Sequence, residues 1–113
     1  MEWSDIVALG GEFPEMVAST SYGTPALKVG KALVIRLRED GDGLVLFDVP
    51  HEERELLMAA EPEIFHLTPH YEDYAIVLAR MSVITPDRLR LFIERRWRAR
   101  APKRAIKALT ADR

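Results

Sequence analysis

Residues 26–49 read ALKVGKALVIRLREDGDGLVLFDV, and this stretch decides the fold. Two strand-like runs, "ALKV" and "ALVIRLR", are joined by Gly30-Lys31 alone, and "EDGDG" (39–43) separates the second from "LVLFDV". A parallel connection needs a crossover of a dozen or more residues, so links this short impose antiparallel pairing. Gly41 and Gly43 tolerate positive φ and the aspartates tolerate the left-handed region, which is hairpin chemistry. In "ALVIRLR" the alternation sets Leu33, Ile35 and Leu37 on one face and Val34, Arg36 and Arg38 on the other. The first set is expected to be buried.

Working outward, "VASTS" is rich in β-branched and small polar residues and "YGTP" is a turn, so strand character begins near Met16. Before it, Ser4 is placed as an N-cap with Asp5 in the first turn, and Ile6, Leu9 and Phe13 recur near the helical period until Gly10-Gly11 and Pro14 end the helix. After it, a second helix starts near Pro50 with Glu52 and Glu53 in its first turn; Leu56, Leu57 and Ala60 form the expected apolar stripe and Pro62 stops it. "FHLTPHYEDY" is a loop or irregular strand, because Pro69 forbids a helix interior. "YAIVLARMSVI" (74–84) reads as one long central strand. "ITPDRLRLFIERRW" then supplies a sharp helix start, with Thr85 as N-cap, Pro86 at the first position and Asp87 in the first turn. Leu89, Phe92, Ile93 and Trp97 line one side of it, Ala101-Pro102 breaks it, and "KRAIKAL" makes a short last helix. The expected architecture is a single α+β domain over residues 1–113: two layers, a mostly antiparallel sheet packed by helices on one face.

The 113 residues carry 48% hydrophobic and 30% charged side chains, an ordinary balance for a globular chain able to bury one modest core. Cysteine is absent, which removes disulfides, thiolate metal sites and cysteine nucleophiles. The start, "MEWSDIVALGGEFP", does not resemble a signal peptide, and no apolar run is long enough to span a bilayer, so a cytoplasmic address without membrane contact is the expectation.

Several pieces together resemble the MmcQ/YjbR-like family of small bacterial proteins. They are Ser-Tyr-Gly-Thr-Pro (21–25) followed by a short strand and Gly30-Lys31, then "PHEERELL", "FHLTPHY" before a strand, and "RRWRARAPKR" (95–104). The resemblance implies a two-layer fold similar to frataxin-like and secretion-chaperone-like folds, and a DNA-binding role. One departure is Tyr74-Ala75-Ile76-Val77, where relatives often show a tryptophan before the valine.

Candidate chemistry is sparse. "DGDG" fails as a calcium loop: from Asp40, Val45 stands where the sixth-position glycine is needed and His51 where the twelfth-position glutamate is. His66 and His70 are four apart, but Pro69 removes the helix that would let them share a metal, and hydrogen-bonding histidines are expected instead. Glu52, Glu53, Glu55, Glu61 and Glu63 read as a solvated helix face. Ser19, Ser21 and Ser82 lack a nucleophile elbow, and no phosphate-cradling glycine loop is present. Tyr22 and Tyr71 with Lys31 could line a pocket, although such tyrosines are more often structural aromatics packing on a small sheet. No enzymatic activity, metal or cofactor is expected.

The C-terminal charge stands out. Residues 88–113 hold ten Lys and Arg against two acids, a net of +8, while residues 1–87 hold six against sixteen, a net of −10. On the helical wheel Arg90, Arg95 and Arg98 fall opposite the apolar stripe, and Arg100, Lys103, Arg104 and Lys107 continue past the break. These seven are the candidate nucleic-acid-binding residues, meeting duplex DNA weakly through phosphate contacts. Arg96 falls inside the stripe and must snorkel out or pair with an acid. Trp97 faces the apolar side, so stacking on bases is not its expected role. The alternative is a non-enzymatic adaptor that binds a protein partner or small ligand over the sheet or the acidic helix. A continuous positive face made by residues 90–107 with Lys28 and Lys31 favours nucleic acid, whereas one-by-one pairing of the arginines with Glu and Asp favours a structural role for the segment.

Overall fold

Three hairpins in succession start the sheet. A computed structural model describes residues 1–111 and gives α1 (Trp3–Gly10), β1 (Met16–Ser21), β2 (Thr24–Val29), β3 (Ala32–Leu37), β4 (Gly43–Phe47) and α2 (His51–Ala60). These are followed by β5 (Phe65–His66), a 3-10 turn (Pro69–Tyr71), β6 (Ile76–Arg80), α3 (Pro86–Arg100) and α4 (Lys103–Ala111). The strand order is β1-β2-β3-β4-β6-β5 with every pairing antiparallel, so the α+β expectation holds.

Each tight connection has a local cause. Tyr22-Gly23 closes β1 on β2 with φ of 53° and 78°, and Gly30 opens the next turn at φ 59°. In the third hairpin Asp40 Oδ1 accepts from the backbone N–H of Asp42 (2.9 Å) and Gly43 (2.8 Å), and Gly41 takes φ 80°. These bonds hold the Asp40 carboxyl below its usual range, ahead of the effect of Arg38.

One sheet face carries the core. Leu27, Ile35, Leu44, Leu46, Val77 and Ala79 meet Ile6 of α1, Leu89, Phe92, Ile93 and Trp97 of α3, and Ala105 and Leu109 of α4. Trp97 is fully buried, donates Nε1–H to the Pro14 carbonyl (2.9 Å) and packs on Phe13 with ring centroids 5.3 Å apart, tying the α1–β1 link to α3. Thr85 caps α3 as expected, its hydroxyl accepting from Arg88 N–H at 3.4 Å.

Four expectations are corrected. Leu33 is only half-buried and lies on the face away from the helices, because a bulge opposite Leu27 and Lys28 inserts Val34 as an extra residue. Val34 joins Ile35 and Leu37 in the helix-side core, while Leu33, Arg36 and Arg38 face the other way. The N-cap of α1 is Glu2, not Ser4: Glu2 and Asp5 form a reciprocal capping box, with the Asp5 carboxylate accepting from Glu2 N–H at 2.7 Å. In α2 the inward residues are Arg54, Leu57 and Met58, whereas Leu56 is 71% exposed and Ala60 is also exposed. The strand expected over 74–84 shrinks to β6, since Tyr74 and Ala75 belong to the preceding loop and 81–84 turn toward α3.

Candidate functional site

Four of the seven basic residues singled out by sequence are paired with acids, three of them with acids of the body. Arg90 lies 3.1 Å from Glu12 and over the Phe13 ring. Arg95 forks onto both Glu53 oxygens at 2.9 Å and reaches the Asp48 carbonyl at 3.2 Å. Arg98 pairs with Glu94 one turn back at 2.8 Å. Arg104 forks onto Glu15 at 2.9 and 2.7 Å, and that bond, ahead of simple charge attraction, lowers the Glu15 carboxyl and raises the Arg104 guanidinium. Arg96 meets Asp48 (3.1 Å) and the Leu33 carbonyl (2.8 Å) and lies over Phe47, the pairing its place in the stripe required. Arg100, Lys103 and Lys107 are exposed and have no partner among the described residues. Pairs this exposed are screened by solvent and stabilise the fold little, but together they cancel much of the charge that phosphate would meet.

A concave surface lies on the opposite side of the sheet, where no α-helix packs among the described residues. Alternation sends Val45, Ile76 and Leu78 to this face, and Phe47 and Tyr71 pack against them as a second, smaller cluster. A pocket of about 730 Å³ opens there, with Val45, Phe47, Ile76 and Leu33 as its apolar floor. Tyr22, Tyr71, Tyr74 and His70 form its aromatic walls, and Arg36, Arg38 and Glu39 its polar edge. This volume is in the usual range for small-molecule seats, which combine apolar lining with a few convergent polar groups.

Arg36 is the polar centre of the pocket. It is only 6% exposed, donating Nε–H to the Ser21 carbonyl (3.2 Å), Nη1–H to the Tyr71 hydroxyl (3.3 Å) and Nη2–H to the Glu39 carboxylate. The Tyr22 ring lies over its guanidinium at 5.3 Å. Arg38 sits over the Tyr71 ring at 5.9 Å and pairs with Asp40 at 3.2 Å. Tyr22 and Tyr71, two of the three residues suggested as pocket lining, are therefore brought together; Lys31 sits exposed in the β2–β3 turn, outside the lining.

Sequence reasoning missed Arg36, Arg38 and Arg54 as positioning groups. Arg54, only 4% exposed, donates Nη1–H to the carbonyls of Tyr74 (2.9 Å), Ile76 (3.0 Å) and Tyr71 (3.3 Å), and Nη2–H to that of Glu72 (3.0 Å). It clamps the loop that carries Tyr71 and Tyr74 into the pocket wall. The available signal for Arg36 and Arg38 was their shared strand parity, opposite to Ile35 and Leu37; Arg54 left none, since its acceptors are main-chain carbonyls. The histidines separate: His70 stacks edge-on to Tyr71 at the pocket, while His66 lies in β5, its imidazolium disfavoured first by burial and then by Arg80.

No family model matches the chain. Curated relatives from Mycobacterium tuberculosis and Mycobacterium bovis, each described as an uncharacterized protein, are 36% identical over 56 residues. The matched region is 50% of this chain and 43% of each relative, so the alignment spans less than half the relatives' length. No solved structure matches.

Proposed function

We propose that the chain is a non-enzymatic binding module of the MmcQ/YjbR-like kind whose ligand seat is the helix-free face of its sheet. The observation that carries this reading is the pocket itself: a concavity with an apolar floor, tyrosine walls and a buried arginine in its lining. The test is a fragment screen on isotope-labelled protein, using small anionic, neutral and cationic aromatics. Chemical-shift changes should cluster at Tyr22, Leu33, Val45, Tyr71 and Ile76. Hits scattered over the surface, or confined to α3 and α4, would remove the sheet face from consideration.

Duplex DNA is the second reading, and it rests on Arg100, Lys103 and Lys107, the exposed cations left over when four of the seven basic candidates are paired with acids. Its contacts would be to phosphate, without base information. Net charge weighs against it, because a committed DNA-binding domain is usually basic overall and this chain carries −2.

A further inference from the structure

We propose that the seat takes a planar aromatic anion, whose acidic group displaces Glu39 from Arg36 and whose ring lies against Tyr22; this rests on reading the sheet-face pocket as the ligand seat. A guanidinium taken out of water requires a negative partner, and among the groups that accept from Arg36 only Glu39 is ionised. Yet the Glu39 side chain is 63% exposed at the lip of the pocket, and it engages one nitrogen of a fork built for two. The other outer nitrogen is held by the Tyr71 hydroxyl at 3.3 Å, long for such a bond. The buried cation thus has a loosely held side and an internal anion open to solvent, and a carboxylate or phosphate that replaces Glu39 takes both outer nitrogens at once.

The aromatic part follows from Tyr22. Its side chain is 87% exposed, and it occupies the first place of a two-residue hairpin turn at φ 53°. Asparagine, aspartate or glycine is favoured there, and an aromatic residue gains nothing from the turn. A strained backbone that displays a flat ring beside a buried cation points to a function for that ring. With Phe47 below and Tyr74, 56% exposed, on the loop side, a planar apolar body finds surfaces to stack on. A nucleic-acid strand needs a continuous cationic track with successive stacking positions. Among the described residues the arginine and lysine side chains that line the pocket are Arg36 and Arg38, which suits one small anion.

The experiment titrates isotope-labelled full-length chain with naphthoate and, separately, with its neutral isostere naphthamide, following backbone amides and arginine Nε–H resonances. Naphthoate should shift Tyr22, Arg36, Arg38 and Tyr71, and naphthamide should bind about tenfold more weakly or worse, the worth of one charge-assisted hydrogen bond. Glu39→Gln should bind naphthoate several-fold more tightly, because the internal competitor has lost its charge. Tyr22→Asn, which suits the turn, should melt no lower than the parent yet bind several-fold more weakly. Equal affinity for acid and amide at the pocket would overturn the anion inference and leave the pocket reading standing. No pocket shift with either compound overturns both. Unchanged or weaker binding by Glu39→Gln overturns the displacement, and stronger pocket shifts with oligothymidylate would assign the face to single strands instead.

Discussion

Arg54 concentrates more structural consequence than any other polar side chain on α2. A residue in "HEERELL" has the composition of a solvated helix face, yet its guanidinium is buried and serves four carbonyls between Tyr71 and Ile76. Each buried acceptor left without a donor costs ~1–3 kcal/mol, so Arg54→Leu should destabilise the protein by about 3 kcal/mol or more. Denaturant titration should show a lower midpoint with an unchanged slope, and amides 71–76 should exchange faster. Arg54→Lys should recover little, because an ammonium lacks the planar fork that reaches separate carbonyls at once. Unaltered exchange in 71–76 would mean that the loop is held by the packing of Tyr71 alone. The residue was invisible in the sequence for a physical reason: its partners are main-chain oxygens, which carry no side-chain signature. The pocket was legible only in part for a related reason: Tyr22 and Tyr71 were offered as lining, but Arg36 and Phe47 come from other segments and join them only through the folding of the sheet.

Elements with local causes were readable, and those set by their neighbours were not. The hairpins at 30–31 and 39–43 follow from glycine and Asx-turn chemistry, and α3 begins where Thr85-Pro86-Asp87 says it must. The Val34 bulge has no local signal, because perfect alternation looks the same in any register; only the pairing with Leu27 and Lys28 reveals the extra residue. That single insertion sends Val34 into the core and leaves the two arginines facing the pocket. The shortness of β6 is likewise a consequence of the Arg54 clamp upstream and of Asp42 downstream, which accepts from Ser82 N–H and Oγ–H. Helix α3 is integral to the core, with Phe92 against Phe65 at 5.8 Å and Trp97 fully buried. Phe92→Ala should therefore cost about 3–5 kcal/mol, the usual range for such truncations. Domains of this size hold only about 5–15 kcal/mol in total, so the variant should melt far lower or fail to fold. An unchanged melting midpoint would make α3 an appended arm.

At the scale of the whole molecule, the charge asymmetry is largely spent internally: the basic helices lie against an acidic body, pairing Arg90 with Glu12, Arg95 with Glu53, Arg96 with Asp48 and Arg104 with Glu15. This decides how any contact with duplex DNA should depend on salt. If only Arg100, Lys103 and Lys107 are available, three phosphates are neutralised and the log–log slope should be near −2.7, at about −0.9 each. If all seven basic candidates let go of their acids and bind, the slope should approach −6.3 on the same rule. Replacing Lys103 and Lys107 by glutamine should reduce the slope by about two contacts, leave the melting temperature nearly unchanged and scarcely alter preference among sequences, because phosphate contacts carry no base information. Titrations of a short duplex at several salt concentrations distinguish these cases. A slope near −6.3 would show that the observed pairs open on binding and would restore the C-terminal helices as the principal surface. Absence of binding at about 50 mM salt and hundred-micromolar protein, conditions under which even non-specific binders register, would end the duplex reading. The shallow slope is the expected result, since every further phosphate must compete with a carboxylate already in place.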